Sequence, residues 1–235
     1  MATLILLPGL ACNAAVWRGQ LPALARWQPL VADVHTRVAS IPAMAALLLR
    51  EHAGPLVLCG ASMGGMIAME AARQAPERVA GLALLGTDAR PDSAEMIALR
   101  EAAIALFAQG RAREVIAPNI AMAFHPDNAP ALAGEYLDLV LGAGDDQLIA
   151  QNRAVIARPD ARPHLASLGC PVLVMCGEED LLTPPERSRE IAALARRSTL
   201  VTVPRCGHML TMERPEAVNQ ALLAWLPSVN PAPGS

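Results

Sequence analysis

The sequence predicts an α/β fold, a mostly parallel sheet flanked by helices and interrupted by one all-helical insertion. Three observations carry this. Short aliphatic runs alternate with helical patterns of about ten residues or more, the signature of parallel strands joined by crossover helices. That alternation stops between residue 89 and about residue 166, where helical stretches follow one another with no strand between them. And the buried-strand run 56–59 passes through Gly60-Ala61-Ser62-Met63-Gly64 into a helical pattern, so a strand turns sharply into a helix there.

The elements follow in order. Residues 3–7 are an aliphatic run of strand length, closed by the turn formers Pro8-Gly9. Residues 17–27 have helical character, and 30–34 form a second candidate strand. A helix over 41–52 ends at Gly54-Pro55, and the helix after the sharp turn runs over 66–74, before Pro76. Residues 79–85 give the next strand, ending at Gly86-Thr87-Asp88. The insertion carries helical stretches at 91–109, 111–122, 129–141 and 145–157. Strand 171–176, helix 185–195, strand 199–203 and helix 215–226 complete the chain. On this reading residues 1–88 and 166–228 form the core, 89–165 an all-helical cap, and 229–235 a disordered tail.

Composition narrows the chemistry. Apolar residues make up 53% of the chain but aromatics only 3%, so aliphatic side chains must fill one large core. A net charge of -3 offers no basic footprint for nucleic acid. Every basic side chain is arginine, and the absence of lysine excludes a Walker A lysine, a pyridoxal Schiff base and a Ser-Lys dyad. The cysteines (Cys12, Cys59, Cys170, Cys176, Cys206) are odd in number and scattered, which argues against a disulfide framework or a zinc site and for a reducing, cytoplasmic setting. The opening MATLILLPGLAC lacks a basic leader and breaks at Pro8-Gly9, and no apolar run approaches the ~18 residues of a membrane span. No cofactor or metal is expected.

Gly60-Ala61-Ser62-Met63-Gly64 is a G-x-S-x-G pattern at a strand-to-helix turn, the setting that makes it a nucleophile elbow. The small flanking residues suit a strained serine, and the N-terminus of the following helix brings free N–H groups and partial positive charge to its side. A serine hydroxyl needs a base, and the base an orienting acid. Among five histidines His208, just beyond the last strand, lies at the carboxyl edge of the sheet, where parallel α/β proteins place their sites. His35, after an earlier strand, is second; His52, His125 and His164 read as solvated. Asp180, beyond strand 171–176, is the candidate acid, with Asp88 the alternative and Glu178 and Glu179 read as solvated. The chain order Ser62, Asp180, His208 distinguishes this constellation from those of chymotrypsin and subtilisin.

Through LLPGL, GASMGG, GEEDLLTP and CGHMLTMERPEAV the chain resembles the α/β-hydrolase superfamily from Thr3 to about Leu226. The resemblance implies Ser62 as nucleophile, Asp180 as acid and His208 as base, with the backbone N–H groups of Met63 and Leu10 as an oxyanion hole. Two departures concern the oxyanion side: Pro8-Gly9 stands where many relatives have His-Gly, and Asp33-Val34-His35-Thr36-Arg37 replaces a glycine-rich turn. In such proteins a helical cap shapes selectivity. The candidates for lining the pocket are Phe107, Ile120, Met122 and Phe124 from the insertion, and Leu10, Leu181 and Met209 from the core.

The expected activity is hydrolysis of carboxylic esters with small or medium apolar acyl groups, a small molecule being the only partner implied. The alternative is a carbon–carbon bond hydrolase of ring-cleavage products, whose relatives tend to carry Asn before the nucleophile and Trp after the histidine; here those positions are Ala61 and Met209, and Arg153 is the candidate for a substrate carboxylate. Lactonase, thioesterase and acyltransferase activities would use the same residues. A hydroxynitrile lyase would need lysine, and epoxide hydrolases and dehalogenases an aspartate in place of Ser62. A non-catalytic small-molecule binding protein is the reading from a different class.

Overall fold

The computed structural model describes residues 2–229. The aliphatic runs assemble as β1 (Thr3–Leu7), β2 (Leu30–Val31), β3 (Leu56–Ala61), β4 (Val79–Leu85), β5 (Val172–Gly177) and β6 (Ser198–Val203). They form one six-stranded sheet in the order β2-β1-β3-β4-β5-β6, each neighbouring pair parallel. The four central strands are buried along nearly their whole length, which is why they read as continuous apolar runs and not as alternating ones.

Alternate residues feed two cores. Leu4, Leu6, Val57, Cys59, Ala83, Leu85, Leu173 and Met175 point to one face, packed with Trp17 and the closing helix. Ile5, Leu7, Leu56, Leu58, Leu82, Leu84, Val172 and Val174 point to the other. That second face is covered by α1 (Ile41–Glu51), α2 (Met63–Gln74) and, through Ile191, a helix after β5. α1 begins where Ser40 Oγ accepts the Ala43 N–H at 3.2 Å, with Pro42 in its first turn.

Between β4 and β5 lie α3 (Ala94–Phe107), α4 (Ala112–Ile116), α5 (Ala129–Gly142), α6 (Asp145–Ile156) and α7 (Arg162–Leu165), with no strand among them. After β5 come α8 (Pro185–Leu194), then β6, α9 (Leu210–Glu213) and α10 (Pro215–Trp225). Among the described residues no helix is long and apolar enough to cross a membrane.

Three local expectations are corrected. The helix expected over 17–27 is instead two short 3-10 turns, Ala14–Trp17 and Ala25–Trp27, because Pro22 would remove a backbone donor from its middle. The strand expected over 30–34 pairs only at Leu30 and Val31, and Val34–Thr36 turns into a 3-10 helix. The stretch 111–122 breaks at Pro118 into α4 and a 3-10 turn, Ile120–Ala123. Of the tail expected to be disordered, Val229 is seated, its N–H on the Leu226 carbonyl at 3.1 Å; residues 230–235 lie outside the described residues.

Candidate active site

β3 ends at Ala61 and α2 begins at Met63, so Ser62 must make the whole turn by itself. It does so with φ 52° and ψ -118°, a conformation costing on the order of 1–3 kcal/mol for a residue with a side chain. Hydrogen bonds hold it there: its N–H donates to the Leu85 carbonyl (2.8 Å) and its carbonyl accepts from Thr87 Oγ1 (2.7 Å). Glycine is required on either side, since a Cβ at Gly60 would run into the Gly64 backbone and one at Gly64 into the Leu7 carbonyl.

Ser62 Oγ lies 3.0 Å from His208 Nε2, and His208 Nδ1 lies 2.9 Å from Asp180 Oδ2. The structure therefore brings together the three residues singled out in the sequence. Asp180 is buried and saturated with donors: the N–H groups of Leu182 (2.9 Å) and Thr183 (2.8 Å) on Oδ1, and Thr183 Oγ1 (2.8 Å) on Oδ2. Burial pushes the Asp180 carboxyl up, but the charge and hydrogen bond of His208 and the donors of Thr183 outweigh it and hold the group below the usual carboxylate range. Asp88 is occupied elsewhere, accepting from the Arg90 N–H (2.9 Å) and pairing with Arg187 (3.3 Å). His35 is buried behind the loop that follows β1, with Nε2 donating to the Cys12 carbonyl at 2.8 Å.

That loop, residues 8–12, passes beside the serine: a Cβ at Gly9 would sit 3.2 Å from Ser62 Cβ. Leu10 and Met63 both line the space around Ser62, and among the described residues neither backbone N–H donates a hydrogen bond. The loop is fastened from a distance. Ala11, at φ 56°, donates its N–H to Gln151 Oε1 at 2.7 Å, and Gln151 Nε2 donates to the His35 carbonyl at 3.0 Å. The histidine loop is fastened likewise: the N–H groups of His208 (2.9 Å) and Met209 (3.2 Å) both donate to the Ala123 carbonyl. The buried Glu213 carboxylate accepts from the N–H of Gly207 (2.9 Å) and of His125 (2.8 Å).

Over these groups lies a cavity of about 410 Å³. Of the pocket candidates, Leu10, Ile120 and Met209 line it. The others do not. Phe107 and Phe124 are core residues, Phe124 meeting Tyr136 edge-on at 5.5 Å, and it is Tyr136 that reaches the cavity. Met122 (46% exposed), Leu181 (62% exposed) and Arg153 face outward. The half-exposed Leu182 and the buried Thr183, whose N–H groups are held by Asp180, line the cavity in place of Leu181. Sequence reasoning missed Arg100, Asn119, Tyr136 and Asn152. A signal for the first existed: Met96, Leu99, Arg100 and Ala103 stand at i, i+3, i+4 and i+7, one face of α3 with a charge in it. Nothing in the sequence marked Gln151, whose partner lies 140 positions away.

Cys12 also lines the cavity, but burial pushes its thiol up to about 12, so it stays protonated and unreactive near neutral pH. All five cysteines are free, and among the described residues no cluster of histidine, cysteine and carboxylate could hold a metal ion.

Comparison with known proteins places this geometry. The sequence matches the profile of the family described as Alpha/beta hydrolase family over residues 4–221. It is 26% identical over 231 residues to the pimeloyl-acyl-carrier-protein methyl ester esterase of Nitrosomonas europaea, 91% of each chain being covered. A thermophilic esterase from Thermogutta terrifontis superposes with a TM-score of 0.85 at 28% identity, over 97% of this chain and 90% of that one. The enol-lactonase from Burkholderia xenovorans LB400 shares the fold, with a TM-score of 0.84 at 22% identity over 96% and 92% of the two chains.

Proposed function

The chain belongs to the alpha/beta hydrolase family, and from that footing we propose that it is a serine hydrolase of carboxylic esters with small to medium apolar acyl groups. The observation that carries the proposal is the unbroken relay from Ser62 Oγ through His208 to Asp180, opening onto an apolar cavity. In the reaction Ser62 attacks the ester carbonyl while His208 Nε2 takes its proton. Asp180 holds the imidazole with Nδ1 protonated and stabilises the imidazolium that forms. The N–H groups of Met63 and Leu10 receive the oxyanion, each worth about 2.7–4 kcal/mol in sites of this type. His208 returns the proton to the departing alcohol, and water then repeats the sequence on the acyl-enzyme.

The cavity volume fits the roughly 300–1,000 Å³ of small-molecule sites. Two of the similar proteins are named as esterases, which supports ester chemistry here. Arg153, the arginine expected to serve a carbon–carbon hydrolase, is exposed and lines no part of the cavity; what weighs against that reading is Ala61 and Met209, where such relatives tend to carry Asn and Trp. Lactonase, thioesterase and acyltransferase reactions would use the same groups, and a substrate panel separates them.

The test is labelling with a fluorophosphonate probe together with turnover of p-nitrophenyl esters. Wild-type protein is expected to label at Ser62, and Ser62→Ala to lose at least about 10⁴-fold in kcat. Full esterase activity in Ser62→Ala, or a wild-type protein that neither labels nor turns over, overturns the proposal; the latter outcome is that of a binding protein.

A further inference from the structure

The cavity above Ser62 is largely apolar, with Asn119, Tyr136, Thr183 and Thr211 among its polar lining and Arg100 and Asn152 where α3 meets α6. Among the described residues that line it, Arg100 supplies the only guanidinium and none supplies a carboxylate. Its Nε donates to Asp92 Oδ2 at 2.7 Å and its Nη1 to Asn152 Oδ1 at 2.8 Å. Asp92 is also the partner of Arg158, whose Nη1 lies 2.7 Å from Oδ1. The remaining hydrogen bonds of Arg158 go to the carbonyls of Arg90 and Val155. Two guanidinium groups thus share one carboxylate, and the cluster keeps one positive charge in excess.

That excess is not spread evenly. The Arg158 side chain is sealed, at 4% exposure, whereas that of Arg100 is 23% exposed and lines the cavity. Arg100 Nη2 makes no hydrogen bond among the described residues, and it is not among the buried polar atoms left without a partner, so it is accessible and free to donate. With Nε and Nη1 engaged, Nη2 still carries two N–H donors on a charged guanidinium, and a carboxylate oxygen is the acceptor that binds such a donor most strongly.

We propose that Arg100 forms an acid-recognition subsite, so that the favoured substrates are esters whose acyl or alcohol portion carries a second, ionised carboxylate. This rests on the serine-hydrolase reading of Ser62 and narrows its substrate class. The competing structural role, a tie between α3 and α6, uses only Nε and Nη1 and gives no account of the free Nη2.

The experiment compares mono-p-nitrophenyl esters of straight-chain diacids with p-nitrophenyl esters of monoacids of equal length, using the full chain. Wild-type protein is expected to favour the hemi-esters by roughly tenfold or more in kcat/KM, the effect residing in KM. Arg100→Met preserves side-chain length and leaves Asp92 paired with Arg158, so the fold has reason to persist. In that variant the hemi-ester to neutral-ester ratio should fall by roughly 10- to 100-fold. Arg100→Lys, which keeps the charge but loses the fork, should fall between the two, and it serves as the readout if Arg100→Met does not fold. A wild-type protein with no preference for hemi-esters, or a ratio that Arg100→Met leaves unaltered, overturns the subsite. Ser62-dependent turnover in that case leaves the hydrolase reading standing; loss of Ser62 labelling removes both.

Discussion

Replacing Gln151 tests whether a side chain on α6 sets the reactivity of Ser62. Gln151 is buried and holds the Ala11 N–H at 2.7 Å and the His35 carbonyl at 3.0 Å. Ala11 is itself buried and sits at φ 56°, adjacent to Leu10, the proposed oxyanion donor. In Gln151→Leu two buried backbone groups lose their partners, and an unsatisfied group of this kind costs about 1–3 kcal/mol. The loop does not fall apart, because the Cys12 N–H still donates to the Gly9 carbonyl (3.2 Å) and His35 still holds the Cys12 carbonyl (2.8 Å). It can, however, relieve the penalty by rotating Ala11 out of the left-handed region, and that rotation carries the Leu10 N–H with it. Losing an oxyanion donor outright costs about 10²–10³ in kcat, so a displaced one should cost roughly 10- to 100-fold. KM for a neutral p-nitrophenyl ester should change by less than about threefold, since the loss falls in the transition state. Gln151→Glu, which still accepts from Ala11 but cannot donate to His35, should lie between. Steady-state kinetics and urea denaturation are measured side by side. A Gln151→Leu protein that is destabilised by more than about 1 kcal/mol yet keeps wild-type kcat refutes the reasoning, for the side chain would then be a strut and nothing more.

Two further outcomes follow from the same geometry. Ser62→Gly and Ser62→Ala both remove the hydroxyl, but only glycine relieves φ 52°, so the glycine variant should be the more stable by about 1–3 kcal/mol in denaturant titrations; equal stability would mean the elbow is unstrained. Burial holds the His35 imidazole below its ordinary value, with Nδ1 unpartnered, so the folded state resists a proton that the unfolded chain accepts. Stability should therefore fall as pH drops through about 6.5, and His35→Gln should flatten that dependence; identical slopes for the two proteins between pH 7.5 and 5.5 would contradict it.

What could be read from the sequence divides along physical lines. Ser62 and Asp180 were legible because each stands just past a strand buried on both faces, and such strands announce themselves as unbroken aliphatic runs; His208 follows the half-exposed edge strand β6 and was legible from its place beyond the last strand. Knowing the strands fixes which end of the sheet their following loops share. The pocket was not legible, because its walls depend on how each helix between β4 and β5 is rotated about its axis. Phe107 and Ala103 stand on the same helix, yet one enters the core and the other the cavity. The failures at 17–27 and 111–122 have a different origin: Pro22 and Pro118 were outvoted by the apolar residues around them.

The fastening of both loops changes what the helical segment means for catalysis. Residues 8–12 are held by Gln151, and residues 207–209 by the Ala123 carbonyl and, through Glu213, by the His125 N–H. On the proposed mechanism those loops carry the oxyanion donor and the base. The segment that lines the cavity through Met96, Leu99 and Val115 is thus also the scaffold that aims the reacting groups. Selectivity and rate are separable only by residue: side chains such as Leu99, which touch the cavity and hold no loop, should move KM between substrates. Positions 125 and 151, which hold the loops and line no part of the cavity, should act on kcat for every substrate alike, since what they position is common to all of them.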